Sequence, residues 1–381
     1  MNVLVIGAGP VGATFALLAT RAGLRVTMLE AREGPSREAR TLALSWGSRE
    51  ILDEAGVWGG ALHATAIHSI HTSQKGGFGR VDLSREDGGV AALGYVMTYA
   101  DLQAALDAEL ERQGVDITRG AVVSAIDQSG GRAEVCYALI GIEQRVCADV
   151  VVLADGGANL DKVPAIAIAE KDYGQAALLG HVVTDAPHRH RAFERFTSEG
   201  PAALLPKQGE RDYSMVWVAA PGRIDALKAL DAGAFCAAFQ DHFGYRAGKF
   251  LTVENRRSYP LKLRTVSSPV AGRVVVIGNA AQALHPVAGQ GFNLGLRDAI
   301  DLAQGLAEHG DLAVNARLTH YSATRAQDVT RSVGFTDFLV SAFSRDIMLM
   351  RMPRGLALAA VDLLPFARRA LARRMLFGAA R

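Results

Sequence analysis

Cysteine is scarce: Cys136, Cys147 and Cys236 stand far apart in 381 residues, with no CxxC pair and no histidines arranged around them. That spacing excludes a disulfide framework and a zinc module, and it fits unpaired thiols in a reducing cytosol. Long apolar runs are also missing although 49% of the residues are hydrophobic, so a soluble chain with room for two cores is expected. Val3 to Ile6 is too short, and too soon followed by Gly7, to read as a signal peptide, which predicts a cytoplasmic location. The net charge of +2 leaves no bulk field that would call for nucleic acid. Neither a HExxH motif nor a supported Ser-His-Asp arrangement occurs, which sets hydrolase readings aside. His188 and His190, two apart in a charged loop, do not make a metal site, so no metal is expected.

What is present begins as a βαβ unit. Residues 3 to 6 read as a buried strand, 11 to 22 as a helix and 25 to 29 as a second strand. Between the first strand and the helix lies Gly7-Ala8-Gly9-Pro10-Val11-Gly12, the context in which GxGxxG becomes specific for a dinucleotide. Gly7 permits the tight turn, Gly9 lets the backbone approach a pyrophosphate, and Gly12 lets helix and strand pack closely. Pro10 opens the helix, whose N-terminal N–H groups then face the anion. Glu30 ends the second strand where a carboxylate accepts from both ribose hydroxyls of an adenosine. Gly76-Gly77-Phe78-Gly79 has no flanking βαβ pattern and reads as a loop, so a second dinucleotide domain is not expected. To this point the choice between FAD and NAD remains open.

Further along, helical periodicity returns at 48 to 55 and 100 to 113, and strand patterns at 121 to 126, 133 to 139 and 150 to 153. From about 171 to 266 alternating strands dominate, with one helical interval near 233 to 243, which predicts a sheet-rich domain inserted into the first. A buried strand at 274 to 277 then leads through a glycine-rich turn into a helix from about 291 to 306.

That turn separates the cofactors. Residues 277 to 298 contain Gly278-Asn279, His285-Pro286, Gly289-Gln290-Gly291 and Asn293, and the stretch resembles the second FAD motif of aromatic hydroxylases with the p-hydroxybenzoate hydroxylase fold. The resemblance is stronger to their ubiquinone-biosynthesis branch, and within it to the 2-polyprenyl-6-methoxyphenol hydroxylases. Tyr173-Gly174-Gln175, Ala192-Phe193-Glu194-Arg195-Phe196, Leu204-Leu205-Pro206 and Val216-Trp217 carry it through the middle of the chain. Asn279 stands where the wider family has Asp, and its amide oxygen still accepts from a ribityl hydroxyl. Tyr95 and Tyr99 depart from the residues many relatives carry there.

The resemblance implies an α/β fold: a Rossmann-like FAD-binding domain (1–72, 97–170 and 267–344), an inserted sheet-rich substrate domain (73–96 and 171–266) and a helical C-terminal segment (345–381). It implies a cofactor site of Gly7, Gly9, Pro10, Gly12, Glu30, Arg40, Asp155, Gly156, Gly278, Asn279, Pro286, Gly289, Gln290, Gly291 and Asn293. It implies a monooxygenase that draws electrons from NAD(P)H, takes O2 as co-substrate and hydroxylates a polyprenylated phenol through a flavin C4a-hydroperoxide. An aromatic hydroxylase of catabolism or natural-product tailoring is the alternative. His285, beside the flavin, reads first as a structural hydrogen bond of that turn and second as the catalytic candidate, and Tyr213 and Trp217 read first as core residues and second as candidates for the substrate cleft. Partners in this reading are other ubiquinone-biosynthesis proteins and a peripheral membrane or lipid-carrier contact. Residues 345 to 381 hold eight arginines, Arg368, Arg369, Arg373 and Arg374 among them, against Asp346 and Asp362, and read first as an amphipathic helix packed on the FAD domain with its arginines solvated and second as such a contact.

Overall fold

The computed structural model describes residues 1–36, 38, 40–60, 62–283, 290–307, 313–344 and 348–378, with side chains except at 332, 333, 335–344 and 348–351. Two sheets organise it. The first runs in the order Val270–Ala271, Val274–Val276, Val150–Leu153, Asn2–Ile6, Arg25–Glu30, Asp116–Arg119. It is parallel except at the Val270–Ala271 edge. Its central strands are continuous runs of Val, Leu and Ile because helices or a smaller sheet cover both faces.

The helix Pro10–Arg21 packs one face of that sheet together with Tyr99–Arg112 and Gln290–Ala307. Alanines 13, 16 and 19, all fully buried, let these helices approach closely. The three-stranded sheet of Val122–Asp127, Ala133–Leu139 and Ile142–Ala148 covers the other face.

The second sheet has eight strands in the order Gln282–Ala283, Phe250–Val266, Ile168–Thr184, Asp212–Ala219, Pro201–Pro206, Arg191–Phe196, Ser69–Gln74, Arg80–Ser84. All neighbours pair antiparallel except Arg191–Phe196 with Ser69–Gln74. One face packs the helices Pro221–Ala229 and Ala232–Phe243 through an aromatic core of Trp217, Phe235, Phe239, Phe243 and Phe250. The other face looks toward Thr41–Ser45, Gln290–Ala307 and the last helix. Ser69–Gln74 lies wholly in this sheet, so it crosses the expected boundary at residue 72.

At the C-terminus, Met348–Leu363 and Pro365–Phe377 are separate helices, because Pro365 opens the second one where its missing N–H costs nothing. Asp362 accepts from Asp82 N–H at 3.0 Å, fastening the first of them to the edge strand Arg80–Ser84. Among the described residues no helix is long and apolar enough to cross a membrane.

Candidate active site

The glycine turn is dictated by crowding. Gly7 has φ +101°, and a Cβ there would lie 2.7 Å from the Asp155 backbone. A Cβ on Gly12 would lie 2.1 Å from the Gly7 carbonyl oxygen. Gly9 differs, since the nearest atom to its Cβ would be the Tyr99 hydroxyl at 3.5 Å, so the missing side chain leaves open cleft. As the N-cap residue Gly9 also offers no side-chain acceptor, which leaves first-turn N–H groups to an incoming anion.

Glu30 closes the end of the second strand, buried, with its Oε2 accepting from Ala8 N–H at 2.6 Å and its Oε1 from Arg32 N–H at 2.9 Å and Arg32 Nε–H at 3.0 Å. Burial pushes this carboxyl up, but the Arg32 and Ala8 hydrogen bonds outweigh it and hold it below the usual carboxylate value. A fixed carboxylate therefore stands at the mouth of a cleft of about 630 Å³ that Gly7, Gly9, Pro10, Arg40, Asp155, Gly156 and Asn279 also line. Arg40 sits over the Tyr99 ring at 4.8 Å and pairs with Glu38 at 3.0 Å. Both oxygens of Asp155 fold its own turn, accepting from Gly157 N–H at 2.8 Å and Asn159 Nδ2–H at 2.6 Å.

Gly278 does not line the cleft. It lies beneath it with φ +63°, where a Cβ would meet Val11 at 3.0 Å, and its N–H donates to Asp298 at 2.8 Å. Gln290 and Asn293 fall on a second, apolar cavity of about 130 Å³. Asn293 holds the neighbouring strand Thr41–Ser45, accepting from Ser45 N–H at 2.8 Å and donating to the Ala43 carbonyl at 3.1 Å. Gly291 is in the first turn of the helix Gln290–Ala307. His285, Pro286 and Gly289 lie outside the described residues.

Tyr213 and Trp217 are corrected by the structure. Alternation along Asp212–Ala219 turns both into the aromatic core on the helix-covered face, at 1% and 0% exposure, whereas Val216 and Val218 face the cavity. The cavity is closed on its far side by Ala372, Met375 and Leu376 of the last helix.

Three positions carry the geometry without a sequence signal of their own. Arg264 donates through Nη2 to the carbonyls of Gly156 at 2.5 Å and Asn279 at 2.7 Å, clamping two turns of the cleft together. Asp298, 1% exposed, accepts from Gly278 N–H, from Gln282 Nε2–H at 2.6 Å and from Arg325. Arg325 in turn pairs with Asp328 at 2.6 Å, which Arg297 meets at 3.1 Å. Burial pushes the Asp328 carboxyl up, and the two guanidiniums override it and lower it.

Removing Arg325 would leave Asp298 and Asp328 buried without their shared cation. Arg325→Met is expected to cost about 3 to 5 kcal/mol in chemical denaturation and to loosen the Gly278 turn. A loss below about 1 kcal/mol would show that this network does not bear on stability.

The FAD binding domain family matches residues 1–336. The ubiquinone hydroxylase UbiL of Rhodospirillum rubrum is 31% identical, over 95% of this chain and 86% of the relative. The 3-demethoxyubiquinol 3-hydroxylase of Escherichia coli is 28% identical, over 95% of this chain and 94% of its own length. The crystal structure of p-nitrophenol 4-monooxygenase PnpA from Pseudomonas putida DLL-E4 covers 99% of this chain and 98% of its own, with a TM-score of 0.80 at 18% identity, a likeness of fold. The chain therefore belongs to the FAD binding domain family and is an FAD-dependent monooxygenase.

Proposed function

We propose that the protein hydroxylates the ring of a polyprenylated phenol in ubiquinone biosynthesis, with O2 as co-substrate and NAD(P)H as electron donor. The observation that carries this reading is the apolar cavity. It lies between the eight-stranded sheet, the helix that follows the second FAD motif and the last helix, and aliphatic side chains make up most of its described lining. Such a cavity suits an isoprenoid-bearing ring and poorly suits the charged substrates of many other hydroxylases. The names of the UbiL and Escherichia coli relatives support the same substrate class.

FAD, when bound, supplies the activated oxygen. In this proposal the Gly7 to Gly12 turn receives the pyrophosphate and Glu30 the ribose hydroxyls. Arg40, Asp155, Gly156 and Asn279 border the rest of the cofactor. The apolar cavity holds the substrate ring and keeps water away from the reacting carbon. Residues 1–72, 97–170 and 267–344 form the FAD-binding part, with Ser69–Gln74 reassigned to the substrate part beside 73–96 and 171–266.

The test is direct. Purified protein with FAD, NADPH or NADH, O2 and a prenylated phenol should yield a product one oxygen atom heavier by mass spectrometry. Absence of product across a panel of prenylated phenols, with flavin reduction intact, would overturn the reading. Glu30→Ala should weaken FAD binding about tenfold to a hundredfold, the loss of charge-assisted hydrogen bonds to ribose.

Delivery of such a substrate implies contact with a bilayer, a location at its surface, and neighbours among other ubiquinone-biosynthesis proteins. The C-terminal helices favour the bilayer. Met352, Leu356, Leu363, Leu364 and Phe366 are exposed, Leu363 and Phe366 at 77% and 70%. Arg369 and Arg373 are exposed on the adjoining helix. Arg368 instead pairs with Asp87 at 3.1 Å, and Arg374 donates to the Arg331 carbonyl at 3.3 Å. Co-sedimentation with phosphatidylglycerol-containing vesicles is therefore expected at low salt and should weaken at high salt. Arg369→Gln with Arg373→Gln should lower it about thirtyfold, at about 1 kcal/mol for each charge. Wild-type protein that stays in the supernatant at low salt would refute the membrane contact.

A further inference from the structure

We infer that the edge of the eight-stranded sheet carries a second binding site, a pocket of guanidiniums that takes the phosphate group of a phospholipid. The pocket has a volume of about 380 Å³ and is lined by Arg80, Arg191 and Arg246 together with His71, Asp82 and Phe193. None of these residues lines the FAD cleft. Strand register builds it. Phe193, His71 and Asp82 stand opposite one another on three neighbouring strands, and two positions along so do Arg195, Ser73 and Arg80. Alternation puts both rows, and Arg191, on one face. Arg246 joins them from the loop between Phe243 and Phe250.

Asp82 and His71 aim the guanidiniums. Asp82 Oδ1 accepts from Arg191 and from His71 Nδ1–H at 2.8 Å, and its Oδ2 pairs with Arg80 Nε at 3.5 Å. The buried His71 ring accepts at Nε2 from Arg246 Nη1–H at 2.5 Å, so an exposed arginine is held by a buried partner. Burial pushes the Asp82 carboxyl up, but His71 and Arg191 override it and bring it down to about 2. Its charge is thereby spent on the framework of the pocket. With Arg195 and with Asp362, which accepts from Asp82 N–H, four guanidiniums stand against two carboxylates among these described residues. Burial, and then the nearby charge of Arg246, lower the Arg195 guanidinium. The Nε–H groups of Arg191 and Arg195 are buried with no acceptor among the described residues. Buried donors without acceptors are costly, and a phosphate, with several anionic oxygens, suits the guanidinium fork.

The surroundings select a lipid. The helix Met348–Leu363 is fastened to Asp82 through Asp362, and the next residue, Leu363, is exposed. Phe78, two residues before Arg80, is also exposed and lies against Gly355 of the same helix. An anion pocket beside exposed apolar side chains matches a headgroup with its acyl chain attached, whereas a soluble phosphate ester would engage the arginines alone. The lipid source rests on the bilayer contact proposed above; the phosphate pocket does not.

Monomeric lipid and vesicles test the two parts separately. FAD-loaded protein is titrated calorimetrically with dihexanoyl phosphatidylglycerol, kept below its micelle-forming concentration, and with glycerol 3-phosphate. Wild type should bind the lipid more tightly than the soluble ester, and Arg246→Gln should weaken lipid binding about tenfold to a hundredfold. Arg246→Lys, which keeps the charge and loses the fork, should fall between the two. Phosphatidylcholine vesicles containing phosphatidylglycerol should bind wild type better than vesicles brought to the same surface charge with oleate, and Arg246→Gln should level the two. Vesicle binding that is equal for phosphatidylglycerol and oleate in wild type, or Arg246→Gln protein with the wild-type lipid affinity, overturns the site. Glycerol 3-phosphate bound as tightly as the lipid overturns the lipid occupant and leaves a pocket for soluble phosphate esters. Monomeric lipid bound by wild type and lost in the variant, while wild type ignores both kinds of vesicle, upholds the pocket and overturns the bilayer contact.

Discussion

Asp298 is a carboxylate with almost no exposure, and three separate parts of the chain meet on it. One oxygen takes the Gly278 N–H at the end of the parallel sheet and the Gln282 amide at the edge of the larger sheet, while Arg325 arrives from the helix Val314–Ser344. Burying that charge is costly, and the cost is offset only if every donor is in place. The Gly278 turn is therefore tied to the position of two helices. Gly295 tightens the tie, because a Cβ there would lie 3.1 Å from Gly278 Cα. A cofactor that lies along this turn inherits its rigidity, as a preorganised site requires.

The same economy joins the two sheets. Phe250–Val266 and Ile168–Thr184 are both 17 residues long, and their paired ends reach from the aromatic core of the large sheet to the turns at Gly156 and Asn279 that line the cleft. Arg264 sits near the end of one of them, which is why a single side chain can reach both Gly156 and Asn279. Asn293 makes the corresponding link on the other side, from the helix Gln290–Ala307 to the strand Thr41–Ser45. Cleft and cavity are consequently neighbours fixed by the same elements.

Much of this was legible in the residues. The glycine turn, Glu30 and the buried Val-rich strands announce themselves, because steric exclusion and two-sided burial leave few alternatives at those positions. Arg264 and Asp298 did not, since each is an ordinary charged residue whose partners are distant in sequence. The strand Phe250–Val266 was hidden by its many charges and by Pro260. Proline is tolerated there because the strand pairs with Ile168–Thr184 on one side, and Gln282–Ala283 joins the other side only at Arg264 and Thr265. Tyr213 and Trp217 were misplaced for a simpler reason. Alternation tells which residues share a face, but not which face holds the cavity, and large aromatics suit a core at least as well as a cleft.

The last helix shows how one element can serve two environments. Ala372 and Leu376 point inward, Met375 completes the cavity wall, and Arg369 and Arg373 remain outside. Its inner face is thus already satisfied, so burial against the core does not account for the exposed Leu363, Leu364 and Phe366 at its start and just before it. Scattered single apolar residues on a surface need no explanation, but three within four positions, beside a wall of the apolar cavity, form a patch. A lipid phase at that patch would shorten the path of an isoprenoid tail to the cavity to roughly the thickness of one helix, about 10 Å. The tail would then exchange one apolar environment for another, and the polar ring would be the part that has to be recognised.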